Sequence, residues 1–204
     1  MEKRLVNSPS FKYLCNTNTK KMEEAIQVLR NGGIILYPTD TIWGIGCDAT
    51  NSEAVEKVFA LKQRASKKSM ITLVESDSKL NRYVKQIPDI AWDIVELSEK
   101  PTTIIYPEGY NVAPNLLAED KSIAVRIVKE GFCHQLIKKF GKPLVSTSAN
   151  ISSESAPLRF EDIDKRILDG VDYIVNLPSD TKLKPKASTI MKIDMDGTFT
   201  LIRK

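Results

Sequence analysis

The sequence predicts an α/β fold, with one domain built on a twisted mixed or open sheet and flanking helices. Three observations carry this. Short β-rich runs at Ile34–Tyr37, Met70–Val74, Thr102–Tyr106 and Ser122–Val128 alternate with segments whose apolar residues recur at helical spacing. The run Ile34-Ile35-Leu36-Tyr37 is apolar throughout, as expected of a strand buried on both faces. Short and long connections are interleaved, which leaves room for a mixed sheet. At 204 residues, with 42% hydrophobic and 27% charged side chains, the chain is long enough to bury a full core as one domain.

In chain order, residues 1–18 read as extended, with an edge strand over Phe11 to Leu14. Met22, Ala25, Ile26 and Leu29 then define a helix over Lys20 to Arg30, stopped by Asn31-Gly32-Gly33. The strand Ile34–Tyr37 turns at Pro38-Thr39-Asp40-Thr41. Ser52 is placed to cap a second helix that packs through Val55, Val58, Phe59 and Leu61. Helices follow at Asp77–Val84 and Pro88–Leu97, the latter with Ile90, Ala91, Ile94, Val95 and Leu97 inward. A helix over Phe132–Phe140 stops at Gly141, and Pro143–Ser146 starts a strand. Thr147–Leu158 has no periodicity and reads as a functional loop. Asp162–Leu168 reads as helix and Tyr173–Val175 as strand. Ser188–Ile193 and Thr198–Ile202 read as the strands of a hairpin across Asp196-Gly197.

Composition excludes several chemistries. The single histidine, His134, follows Cys133 on a helix, where neighbours point about 100° apart, so the two form no nucleophilic dyad. Cys15, Cys47 and Cys133 are odd in number and widely spaced, which argues against a disulfide framework or a zinc site and for a reducing compartment. Walker and GxGxxG phosphate loops are absent: Gly44-Ile45-Gly46 lacks the third glycine. The N-terminal residues lack the apolar core of a signal peptide, and no apolar run is of membrane-spanning length; a cytoplasmic protein is expected.

The remaining candidates are small, polar and cationic. Lys62-Gln63-Arg64-Ala65-Ser66-Lys67-Lys68 holds four basic residues in seven and no acidic one, so either water screens the charges or an anion belongs among them. Arginine there can clamp two phosphate oxygens at once. Ser146-Thr147-Ser148-Ala149-Asn150 lies at a strand end, where open α/β sheets bind ligands, although such clusters also serve as turns. Arg126 sits in the apolar strand Ile123–Val128 and needs either a structural partner or a ligand. Lys184-Pro185-Lys186-Ala187-Ser188-Thr189 is a basic entry into a strand.

Together these blocks (Tyr37-Pro38-Thr39-Asp40-Thr41, Gly44-Ile45-Gly46-Cys47-Asp48-Ala49, Lys62-x-Arg64, Ser148-x-Asn150 and Ser188-Thr189-Ile190) resemble the YrdC-like threonylcarbamoyl-AMP synthase family. The resemblance runs from about residue 20 to residue 193 and treats residues 1–204 as a single domain of this type. It implies a large, basic, concave cavity. It also implies a nucleotidyltransferase that condenses L-threonine, bicarbonate and ATP into threonylcarbamoyl-AMP and pyrophosphate, for modification of an adenosine in tRNA. On the matching positions, Lys62, Arg64, Lys68, Ser122, Ser148 and Asn150 are expected at ATP, with Lys62 and Arg64 as the catalytic pair. Thr41, Arg126, Ser146 and Ser188 are expected at threonine, Arg126 meeting its carboxylate. Magnesium is expected on the phosphates, and tRNA, double-stranded RNA or other tRNA-modification proteins as partners. The chain departs from the family at Ala65, Ser69-Met70, Leu73 (where a histidine is common) and Ser152-Ser153. Two alternatives stay open here: a non-catalytic RNA-binding module with the same cavity, and an enzyme of altered amino-acid specificity.

Overall fold

The computed structural model describes residues 9–63, 70–175 and 187–204, with side chains from residue 18 onward. The expected residues Arg64 and Lys68, and the departures Ala65 and Ser69, lie outside the described residues. The strands are β1 (Ile35–Pro38), β2 (Trp43–Gly46), β3 (Ile71–Val74), β4 (Thr102–Tyr106), β5 (Ile123–Ile127), β6 (Leu144–Ser148), β7 (Tyr173–Ile174), β8 (Thr189–Ile193) and β9 (Phe199–Arg203). They join in one mixed sheet in the order β7-β1-β2-β6-β3-β5-β4-β8-β9, with parallel pairs at β1/β7, β3/β5 and β4/β8 and antiparallel pairs elsewhere. The α/β fold with a mixed sheet is therefore as the sequence predicts.

Helices cover both faces of the sheet. Helix α1 (Pro9–Arg30) and helix α4 (Gly131–Phe140) pack Leu29, Ala25, Leu136 and Ile137 against Ile35, Tyr37, Leu73 and Leu144. On the other face, α2 (Ser52–Leu61) presents Ala54, Val55, Val58 and Phe59 to Leu36, Ile45 and Val145. Helix α3 (Asp89–Leu97) packs beside them, with Ala91 against the cluster of Ile104, Val125 and Ile193. A short α5 (Lys165–Gly170) buries Ile167 behind α2. No helix among the described residues is long and apolar enough to cross a membrane.

Several local expectations are corrected. Phe11–Leu14 is helical, because α1 starts at Pro9, a residue well suited to a first helical turn, and runs on without a break. Asn51, not Ser52, caps α2: its side-chain oxygen accepts from the amides of Glu53 and Ala54. Leu97 is 78% exposed at the end of α3, where the packing face has already turned away. Asp77–Arg82 is a 3₁₀ segment, and the helix expected at Asp162–Leu168 divides into a 3₁₀ turn at Phe160–Asp162 followed by α5. Strand β6 extends to Ser148, so the loop expected from Thr147 begins later.

The strand the sequence hid is β2. Two of its four residues are glycine, which carries little β-propensity, but here the glycines are required by close approach. A Cβ on Gly46 would lie 2.5 Å from the Val145 carbonyl oxygen and 2.6 Å from the Tyr37 ring. One on Gly44 would lie 2.9 Å from Thr39 Cγ2 and 3.2 Å from Ser146 Oγ. Gly46→Ala is expected to destabilise the fold by about 2 kcal/mol or more, since backbone and a buried ring must both move. Urea unfolding checks this, and a midpoint equal to wild type would contradict it.

Candidate active site

Strand alternation gathers the polar residues. Side chains two apart share a face, so Ser122, Ala124 and Arg126 of the β5 segment point the same way. Arg126 lies opposite Leu73 on β3 and Thr103 on β4, while Ile71 pairs with both Ala124 and Ser146. Ser148 pairs with Gly44. The face that α1 and α4 cover at one end is thus polar at the other. There a pocket of about 170 Å³ is bordered by Thr39, Thr41, Arg126, Ser146, Ser148, Ser188 and Arg203, with Met70 and Ile190 as apolar neighbours. Four expected threonine residues and one expected ATP residue therefore meet in one pocket.

Arg126 is 3% exposed, and its Nη2 donates to Asp40 Oδ1 at 2.8 Å. Its Nε and Nη1 make no hydrogen bond to the described residues, and Nε is fully buried. A buried guanidinium with donors unused is costly unless something accepts from it. The Thr39 hydroxyl donates to the Ile42 carbonyl at 2.7 Å and accepts from the amides of Thr41 and Ile42. Its proton and both lone pairs are thereby engaged, and Thr41 Oγ1 lies 3.0 Å from it. Thr41 Oγ1 is left with lone pairs to offer, which suits an N–H or O–H donor. Across the pocket Ser188 Oγ lies 2.8 Å from Thr103 Oγ1.

Arg203, which the sequence reading missed, reaches this pocket from the last strand. Its Nε donates to the Ser188 carbonyl at 3.0 Å and its Nη2 to Ser188 Oγ at 3.3 Å. Burial, and then the nearby charge of Arg126, push the Arg203 guanidinium below its ordinary range. The register Ile190↔Arg203 was the available signal: extending the expected hairpin by one residue places Arg203 beside Ser188.

Lys62 stands at the end of α2, where Gln63 at φ +50° turns the chain away. It is 2% exposed, and its ammonium donates to the carbonyls of Ser148 (2.6 Å) and Asn150 (2.5 Å) and to Asn150 Oδ1 (3.4 Å). Its own carbonyl accepts from the Ser152 amide. Asn150 in turn donates to the carbonyls of Ile151 and Glu154. Lys62 and Asn150 thus lie at the base of the Ser148–Asn150 turn and fix its shape. Ser122 shares the sheet face but does not border the pocket, and its hydroxyl and amide bond Asp120, whose carboxyl they hold low. Asp48 is structural: it accepts from Thr50 and pairs with Lys142 at 2.6 Å. Leu73 is fully buried in the cluster beneath α1 and α4.

The chain matches the Sua5/YciO/YrdC family, described as "telomere recombination", over residues 27–204, and it belongs to that family. Among curated relatives, the threonylcarbamoyl-AMP synthase of Pseudoalteromonas translucida is 36% identical over 176 residues, covering 85% of this chain and 92% of that protein. The crystal structure of Escherichia coli YciO has TM-score 0.78 at 24% identity, over 91% of this chain and 89% of that one. Pyrococcus abyssi Sua5 complexed with L-threonine has TM-score 0.76 at 23% identity, over 86% of this chain and 51% of that one.

Two outcomes follow from the geometry. Asp40→Ala leaves Arg126 buried without its carboxylate and is expected to cost about 3–5 kcal/mol in urea unfolding; a loss under about 1 kcal/mol would show the pair to be unimportant. Cys47 and Cys133 are buried, and burial pushes both thiols far above their ordinary range. In the folded protein at mildly alkaline pH, dithiobis(nitrobenzoate) is therefore expected to titrate Cys15 at most, with all three cysteines reacting only in denaturant.

Proposed function

We propose that this protein is a threonylcarbamoyl-AMP synthase, condensing L-threonine, bicarbonate and ATP to threonylcarbamoyl-AMP and pyrophosphate. The observation that carries this reading is the convergence of Thr41, Arg126, Ser146, Ser148 and Ser188 on one pocket. Its volume of about 170 Å³ is below the range of sites that enclose drug-sized ligands and suits a single amino acid. In this assignment the substrate carboxylate takes the unused donors of Arg126, and Thr41 Oγ1 accepts from the amine or the substrate hydroxyl. Ser146 and Ser188 border the side chain.

Bicarbonate takes up a proton and loses water to give carbon dioxide; the threonine amine adds to its carbon and loses a proton, giving a carbamate. A carbamate oxygen attacks the α-phosphorus of ATP, and pyrophosphate leaves. The protein need only hold the reactants in line and neutralise charge growing on the phosphate oxygens. Ser148 lies between the amino-acid pocket and the Lys62-pinned turn, so ATP is assigned to that side, with Asn150, Ser122, Arg64 and Lys68. With its ammonium engaged by the turn, Lys62 acts here as a positioning residue. Arg203 brings a further cation to the same pocket. No group of three or more carboxylate, histidine or cysteine ligands occurs among the described residues, so magnesium arriving with ATP would be held by phosphate oxygens rather than by a protein cage. The product's threonylcarbamoyl group is assigned to tRNA adenosine modification.

The test is pyrophosphate release with ATP, threonine and bicarbonate, each omitted in turn. Release is expected only when all three are present, and release that ignores threonine would overturn the reading. Asn150→Ala is expected to lower turnover by about a hundredfold while the global fold persists, because the turn that Asn150 and Lys62 shape loses its preorganisation. Wild-type turnover in that variant would remove ATP from the Ser148–Asn150 turn.

A further inference from the structure

A second and larger cavity, of about 580 Å³, opens at the other side of the Thr39-Asp40 turn. The C-terminal part of α3, strands β4 and β5 and the first turn of α4 enclose it. Val95, Ile104, Val125, Ile127 and Phe132 supply an apolar lining. Its size falls within the range of preformed small-molecule sites. Among these apolar groups stands Tyr106, 1% exposed, whose hydroxyl has no hydrogen-bond partner among the described residues. Burial pushes its phenol far above the ordinary range, so the group is a neutral O–H donor at any physiological pH. The hydroxyl is open to the cavity, so an acceptor placed there can take a hydrogen bond from it.

The charges at the rim narrow the ligand further. Asp40 is committed to Arg126, and the Lys129 ammonium to the carbonyls of Val95 and Ser98. With that ion pair neutral, Glu99 and Glu130 stand against Lys100 and Lys129, two carboxylates and two ammoniums. This rim carries no net charge, in contrast to the polar pocket, where Arg126 and Arg203 converge. The two sites therefore select different chemistry across a shared wall, since Thr39 lines both.

We propose that the cavity between α3, β4, β5 and α4 is a second binding site, for an uncharged, mostly apolar molecule that carries one hydrogen-bond acceptor for Tyr106. The proposal stands independently of the synthase reading, because it requires neither ATP nor threonine.

The probe is prodan, a neutral naphthyl ketone whose emission moves to the blue in apolar surroundings, titrated into the full chain. Saturable binding of one probe per chain is expected. Tyr106→Phe is expected to weaken it about fivefold, the equivalent of one net hydrogen bond. Val95→Trp, which fills the lining from the half-buried α3, is expected to abolish it while leaving thermal melting unchanged. The anionic anilinonaphthalene sulfonate is expected to bind more weakly than prodan. Absence of saturable binding, or affinity unchanged in both variants, would overturn the proposal. So would displacement of prodan by ATP or L-threonine, which would place the probe in the polar pocket.

Discussion

The ion pair between Arg126 and Asp40 is the constraint on which the site depends. A guanidinium on a central strand, with almost no contact with water, is stable only if a carboxylate comes to it. The carboxylate comes from the turn after β1, which the sheet order places four strands away. Holding it there folds the Thr39–Thr41 turn back across the sheet face. That turn forms one wall of the polar pocket and, from its opposite side, part of the larger cavity. Without the pair, Thr41 and Arg126 would have no reason to be neighbours.

The turn can lie so close to the sheet because β2 offers no side chains beneath it. Gly44 and Gly46 are two residues apart and so share a face. One makes room for Thr39 and Ser146, and the other for the Tyr37 ring, whose hydroxyl bonds the Val145 carbonyl. The Gly-Ile-Gly motif, which resembles a broken phosphate loop in the sequence, works here by steric clearance. Ile45 between the glycines points the other way and is fully buried in the cluster under α2.

Much of this was legible beforehand. Among the described residues, the apolar runs identify eight of nine strands at least in part, because burial imposes a pattern that composition preserves. The strand that was missed had its β signal erased by the same glycines that the packing requires. Asn51 was overlooked as a cap because Ser52 beside it is an equally good cap by residue type, and only backbone geometry separates them. In the site, Thr41, Arg126, Ser146, Ser148 and Ser188 were named from motif and position. What the sequence could not convey was partnership: Asp40 finds Arg126 across 86 residues of chain, and Lys62 finds Asn150 across 88. Lys62 shows the consequence: its place in a basic run gives no sign of the loop carbonyls that its ammonium holds.

The electrostatics of the pocket give the arrangement its direction. Arg126 and Arg203 face one another with a single carboxylate, Asp40, between the turn and the sheet. The pocket thus carries more positive charge than its own residues neutralise. Arg203 is exposed as a residue, but partial desolvation where it enters the pocket disfavours its cation, and Arg126 adds repulsion to it. An anion seated between them relieves both penalties, and it does so in a partly desolvated site where charge interactions are stronger than in water. Cys133 and Tyr37 lie close by, but burial keeps both protonated, so neither competes as a nucleophile or as a second anion. The charge balance of the pocket therefore favours a carboxylate or phosphate over a cation or a neutral group.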